Sequence, residues 1–285
     1  MYPIGLSSCG KCLNESTFAS YARAGITAIE ISANPEELPS LPLIEIANHA
    51  QRYGIKLWSY HLPFTPFKEI DISQPHLADH TVSYFKELIR KATAIGIRRF
   101  VMHPSGEPIE DADRPIRMET AKRSLADLAE FTQELGAVIA VEDLPRTCLG
   151  NCASEIEELL SAHPALRVCF DTNHLLDEDP VNFIHRIGDR IITTHVSDYD
   201  FLNERHWLPG EGSLDWAGIV QALADVHYQG VWMYELGFGS TKTIERDPPL
   251  TCEDFANNAR EIFQGLPLTK HGVPVLGLTS WKKPK

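Results

Sequence analysis

Six apolar runs in this chain each close on a residue that can ligate a metal. They are LWSYH to His61, RFVMH to His103, VIAVE to Glu142, RVCFD to Asp171, RIITTH to His195 and VWMYE to Glu235. One apolar strand ending on an ionisable group is ordinary; six in succession demand a common cause. They have one if all six ends face a single place. An eight-stranded β/α barrel meets that condition, because its strand C-termini share one face and that face carries the chemistry.

Strand and helix signals alternate throughout. Strands are read at 3–8, 28–32, 57–63, 99–105, 138–145, 167–174, 190–198 and 230–237. Helices are read at about 14–25, 42–53, 76–95, 115–135, 153–162, 180–187, 215–227 and 251–265, several of them closed by glycine. The strands are mostly continuous apolar runs, as expected where both faces are buried. Short strands alternating with longer helices argue for parallel crossover units. The expectation is an α/β fold, a single-domain (β/α)8 TIM barrel over 1–265. Residues 266–285 read as a Pro- and Gly-rich tail with a basic end. Such a tail is either a loose terminus or an arm packing on the barrel or on a second subunit of a homo-oligomer.

The net charge of −13 opposes non-specific nucleic-acid binding, which needs clustered Lys and Arg. No run of 18 apolar residues exists, so no membrane partner is expected. The start, MYPIGLSSCG, lacks the basic and apolar regions of a signal peptide, which points to a cytoplasmic protein. Of the six cysteines, Cys9 and Cys12 form a C-x-x-C and Cys148 and Cys152 a C-x-x-x-C. A shared zinc site would have to join loops after strands 1 and 5, on opposite sides of a barrel. Reduced loop thiols are the simpler reading.

The chemistry starts from Glu142, Asp171, His195 and Glu235, which close four consecutive strands. Mixed nitrogen and oxygen donors suit Mn, Co, Mg, Fe or Zn as a divalent ion. Three carboxylates crowded without a cation would repel and raise one another's pKa values. Taken singly, each residue is equally well a loop cap or half of an ion pair.

The residues VED at 141–143, FDTNH at 170–174, HVSD at 195–198, LPGEGSLDW at 208–216 and YELGF at 234–238 carry a resemblance. In order and spacing they resemble the sugar phosphate isomerase/epimerase family of the xylose isomerase-like barrel superfamily. The likeness spans about residues 3 to 265. It implies that Glu142, Asp171, His195 and Glu235 bind one divalent metal, and that His174 touches the substrate. Ketose 3-epimerases of the family carry a further Glu six residues after the first metal Glu; this chain has Cys148 there. The implied substrate is a small sugar, sugar phosphate or related polyol ketone. A Lewis acid would acidify the C–H between hydroxyl and carbonyl and stabilise an enediolate. Glu142 and Glu235 are the candidate acid and base. Epimerisation, aldose–ketose isomerisation and dehydration of the inosose dehydratase kind all remain open at this stage.

His61, His103 and His206 extend the picture. With Glu142, Asp171, His174, His195 and Glu235 they fall where endonuclease IV, on the same barrel, holds three zinc ions. Glu204 stands where that family has Asp. A multi-zinc phosphoesterase is therefore the alternative. The missing Gly-rich start, the negative charge and the PGEGSLDW segment favour the sugar enzyme. In that reading His61, His103, His174, Arg205 and His206 bind substrate hydroxyls, one metal site is expected and a second stays open. A catalytically inactive binding subunit is a third reading, opposed by the intact Glu-Asp-His-Glu set. Weaker signals are Glu30, as a substrate contact or a rim ion pair, and Trp58, Phe64, Trp207 and Phe238 as aromatic walls for a sugar. Arg146, Arg205, Lys242 and the GFGST segment at 237–241 are candidates for meeting a phosphate.

Overall fold

The computed structural model describes all residues except 10, 35, 65–68 and 283–285. Eight parallel strands run β1 Ile4–Ser7, β2 Ala28–Ile31, β3 Lys56–His61, β4 Arg99–Met102, β5 Val138–Glu142, β6 Arg167–Asp171, β7 Ile191–His195 and β8 Trp232–Tyr234. Their hydrogen-bonded order is β7-β6-β5-β4-β3-β2-β1-β8. A parallel bridge between Val196 and Tyr234 joins the two ends, so the sheet closes into the expected barrel. The helices are α1 Glu15–Ala24, α2 Leu43–Arg52, α3 Ala78–Ala94, α4 Arg114–Glu134, α5 Ala153–Leu160, α6 Pro180–Ile187, α7 Trp216–Asp225 and α8 Cys252–Gln264. None is long and apolar enough to cross a membrane.

Local chemistry sets these bounds. Asn14 caps α1 by accepting from Thr17 N at 3.1 Å, and Gly25 ends it at φ 83°. Thr251 and Asp254 form a reciprocal capping box on α8. Asp179 caps α6, with Pro180 in its first turn. The helices' apolar stripes pack on the outer barrel face, where Phe18, Phe85, Leu125, Ile156, Phe183 and Phe255 are all at or near zero exposure. Burial of such a side chain contributes about 1.5–3 kcal/mol.

Inside the barrel, side chains stack in layers. Ala28, Trp58, Val231 and Met233 form one cluster, and Val101, Ala140 and Cys169 another. Gly5 of β1 leaves room for the first: a Cβ there would meet Val231 and Met233 at 2.7–2.9 Å. Along β4, β5 and β6 simple alternation carries the inner face up to His103, Glu142 and Asp171.

Two strands need help. The β2–β3 register jumps from Ile29↔Leu57 to Glu30↔Ser59, leaving Trp58 as an extra residue. The β6–β7 register jumps from Val168↔Ile191 to Cys169↔Thr193, leaving Ile192 extra. Each bulge lets two consecutive side chains share the inner face. Strict alternation from Trp58 would turn Tyr60 inward and His61 outward. With the bulge, Ser59 and His61 face in while Tyr60 packs outside against Phe100. The same shift brings Thr193 and His195 inward.

Two expectations shift by one residue. His103 and Glu235 stand just past the last residues of β4 and β8 rather than on them. The sequence also gave no sign of a two-residue strand pair, Ile244–Glu245 (β9) with Val273–Pro274 (β10), which draws the tail against the barrel. Trp281 N donates to Leu202 O at 2.7 Å, and Arg205 donates to Thr279 O at 3.1 Å.

Candidate active site

The strand ends deliver their side chains into one cavity of about 520 Å3 at the C-terminal mouth. His61, His103, Glu142, His174, His206 and Glu235 all line it. One ligand atom each from Glu142, Asp171, His195 and Glu235 lies within 4.8 Å of the other three. His195 Nδ1 is 2.9 Å from Glu142 Oε1, 3.1 Å from Glu235 Oε2 and 3.9 Å from Asp171 Oδ2. All four side chains are buried or nearly so.

This donor set suits a divalent cation. Asp171 Oδ2 is buried and has no hydrogen-bond partner among the described residues. Burial, with the charges of Glu235 and Glu142, pushes the Asp171 carboxyl up to about 7 despite the opposing His174. Burial would also raise Glu142 and Glu235. For Glu142, His195 and His103 override it and hold the carboxyl well below the usual range. For Glu235, His195 holds it down at about 2. Anionic donors, a neutralisable imidazole and an orphaned carboxylate oxygen are what a hard or borderline cation requires.

Glu142 faces two ways. Its Oε1 meets His195, while its Oε2 lies 3.1 Å from His61 Nε2 and 3.2 Å from His103 Nε2. His61, His103 and Glu142 thus form a second metal-competent group. His61 Nδ1 donates to Leu62 O at 2.8 Å, which aims Nε2 inward. Burial depresses the His61 imidazole, but its bond to Glu142 wins and lifts it to about 9. Burial dominates at His103, whose pKa falls. A third group joins His174, Glu204 and His206. Glu204 Oε1 lies 2.8 Å from His206 Nε2, and its Oε2 lies 2.8 Å from Arg146 Nη1.

Several sequence-level expectations change here. Glu30 is no rim residue: it is fully buried, lies 2.9 Å from His195 Nε2 and accepts from Ser59 Oγ at 2.8 Å. Its signal in the sequence was only its position at the end of a strand. Arg205, expected to bind substrate, turns away from the cavity to Asp200 at 2.9 Å and the tail. Its backbone N–H, with that of His206, is held by Asn173 Oδ1. Arg146 is committed to Glu107 and Glu204. Trp58 lies at the opposite end of the barrel, its Nε1 on Thr193 Oγ1. Phe64 does line the cavity, stacked 4.1 Å from His103. The six cysteines are free, and no metal-competent group among the described residues joins the two pairs.

Beyond His195, the acidic residues of the HVSD and LPGEGSLDW motifs hold loops. Asp198 accepts from Tyr199 N, Gly210 N, Leu214 N and Trp216 Nε1 at 2.8–3.2 Å. Glu211 accepts from Leu208 N and His271 N and pairs with Arg246, both charges fully buried. These contacts set the loop from which Glu204 and His206 reach the cavity.

Comparison with known proteins agrees with this fold. The xylose isomerase-like TIM barrel family matches residues 18–275. The chain belongs to that family. Among relatives of this xylose isomerase-like barrel, a D-psicose 3-epimerase of Enterocloster bolteae is 28% identical over 206 residues, 68% of this chain and 65% of that protein. A fructoselysine 3-epimerase of Escherichia coli O157:H7 is 24% identical over 119 residues, 40% of this chain and 43% of that one. The chain thus spans less than two thirds of either relative's length. A solved D-tagatose 3-epimerase-like protein superposes with a TM-score of 0.73 at 20% identity, covering 93% of this chain and 96% of the other.

Proposed function

We propose that this protein is a divalent-metal-dependent epimerase or isomerase of a sugar, sugar phosphate or related polyol ketone. The observation that carries the reading is the convergence of Glu142, Asp171, His195 and Glu235 beneath an open cavity, with buried Asp171 Oδ2 lacking a hydrogen bond among the described residues. Those four residues would hold the cation, which would polarise adjacent substrate oxygens and stabilise enediolate charge. Glu142 and Glu235 come from different strands and flank the cavity floor. One takes the proton from the hydroxyl-bearing carbon next to the carbonyl and the other returns it. His61, His103, His174 and His206 line the cavity as the groups that meet substrate hydroxyls, and the Phe64 ring excludes water from one wall. The epimerase names of the relatives favour proton return to the same carbon.

The test is solvent-deuterium incorporation into a panel of ketoses and sugar phosphates, with metal content measured in parallel. Wild type exchanges one carbon-bound hydrogen. Glu142→Gln and Glu235→Gln lose that exchange; full exchange in either variant removes that residue from proton transfer.

A second reading has its own observation. Glu142 offers one oxygen to each of two metal-competent groups, and His174, Glu204 and His206 make a third. That arrangement suits a multi-zinc phosphoesterase, in which a bridging Glu142 is not free to carry protons. Two or three bound zinc ions, together with cleavage of abasic-site DNA that His103→Ala abolishes, would displace the sugar enzyme in favour of it.

A further inference from the structure

The opposite mouth of the barrel carries the inverse charge. Lys56, Arg99 and Arg167 are the first residues of β3, β4 and β6, and Arg98 and Arg190 directly precede β4 and β7. Arg98, Arg99 and Arg167 line a single cavity of about 570 Å3, floored by Val138 and Ile192. In a chain with 39 carboxylates against 26 Lys and Arg, none of these five cations has an ion-pair partner among the described residues.

Their guanidinium planes are nonetheless fixed. Arg98 Nη1 donates to Thr93 O and Ile97 O, both at 2.8 Å. Arg167 Nη1 donates to Pro164 O and Leu166 O, both at 2.8 Å. Arg190 Nε and Nη2 reach Leu166 O at 3.1 and 2.6 Å. Arg99 lies 3.7 Å from the Trp58 ring centroid and Lys56 Nζ lies 4.8 Å from it. Each tethered arginine keeps further N–H groups without an acceptor. Burial and then the Arg167 charge lower the Arg190 pKa, with Asp189 opposing them.

We propose that this N-terminal mouth is a binding site for the dianion of a phosphate monoester. Three guanidinium groups line this one cavity without a carboxylate to neutralise them, and guanidinium forks bind phosphate oxygens in pairs. A solvated arginine face needs neither the carbonyl tethers nor the stack on a buried tryptophan. The cavity also holds more than a bare phosphate, leaving room for a sugar-sized body. This mouth and the histidine–carboxylate cluster are at opposite ends of the barrel, so binding here stands or falls apart from the reaction there.

Calorimetric titration of metal-free protein with inorganic phosphate, glucose 6-phosphate and AMP provides the test, since removing metal silences the other mouth. Saturable binding of at least one probe is expected, weakened at least tenfold in R98A/R167A. Inorganic phosphate binding as tightly as either ester makes free phosphate the source; tighter ester binding makes it a metabolite. If R98A/R167A does not fold, wild type still decides through Trp58: phosphate must alter tryptophan emission, and Trp58→Phe must remove that change. No saturable heat up to millimolar probe, unchanged affinity in a folded R98A/R167A, or preference for duplex DNA over every small phosphate overturns the proposal.

Discussion

Glu30 and His195 form a buried pair across the barrel, with Oε1 2.9 Å from Nε2 and neither side chain exposed. The other ring nitrogen of His195 faces Glu142, Asp171 and Glu235. A carboxylate behind a ligating histidine fixes its tautomer and raises its basicity, and such partners are typically worth 10–100-fold in metal affinity. Glu30→Gln should therefore weaken divalent-metal binding by about 10–100-fold. Calorimetric titration with Mn or Co reads this, and circular dichroism checks that the barrel is intact. Unchanged affinity would show that Glu30 serves only packing.

The Asp171 carboxyl gives a pH prediction of definite sign. Its folded pKa, about 7, lies above the ordinary 3.8. The folded metal-free state therefore holds a proton that the unfolded state releases earlier. This group's contribution turns unfavourable as pH rises above about 4 and reaches its full cost above about 7. Metal-free Asp171→Asn should melt higher than metal-free wild type at pH 8, with the gap closing towards pH 4. Metal binding expels the same proton, so wild-type affinity should climb with pH up to about 7. A gap independent of pH would mean that Asp171 is ionised throughout.

The barrel itself was legible because it rests on repetition: eight apolar runs, eight helices with capping residues, and polar strand ends in series. Glu142 and Asp171 were legible for the same reason, since unbroken alternation carries Val138 and Arg167 up to them. His61 and His195 are different. Each points inward only because Trp58 or Ile192 is inserted as a bulge, and nothing in LWSYH or RIITTH marks that insertion. Glu30 was read as a substrate contact or a rim ion pair, and its buried place behind His195 was not legible because the two lie 165 residues apart. Arg205 misled because a charged residue beside His206 looks like a substrate contact until Asp200 and the tail claim it. The family motifs HVSD and PGEG were read correctly as markers, although Asp198 and Glu211 within them hold loops.

Asp198 should be a stability determinant with a functional consequence. Its two oxygens satisfy four donors, and an amide in its place can accept on one side only. Asp198→Asn leaves the two N–H donors on one side without an acceptor, each costing about 1–3 kcal/mol. Gly212→Ala should act on the same loop, since its Cβ would lie 2.3 Å from Asp198 Oδ1 and from Tyr199 O. Both variants should lower Tm and, by displacing Glu204 and His206, raise the KM more than they lower kcat. Wild-type Tm in both would show that this loop adapts freely.

The Glu211–Arg246 pair offers a final test, because it links the 208–216 loop, the residue after β9 and the tail. Both charges are fully buried, and Glu211 also accepts His271 N at 3.1 Å. Removing one partner strands the other: Arg246→Met should cost about 3–5 kcal/mol in chemical denaturation. Replacing both charges by apolar residues removes the stranded charge, so E211M/R246M should be less destabilised than R246M alone. The double variant still loses the acceptor for His271 N. Its tail should therefore be clipped faster by limited proteolysis than that of wild type while the barrel stays resistant. Equal destabilisation in the single and double variants would mean that the buried charge is not what the pair neutralises. Equal clipping rates would mean that the β9–β10 pairing and the contacts of Thr279 and Trp281 hold the tail without Glu211.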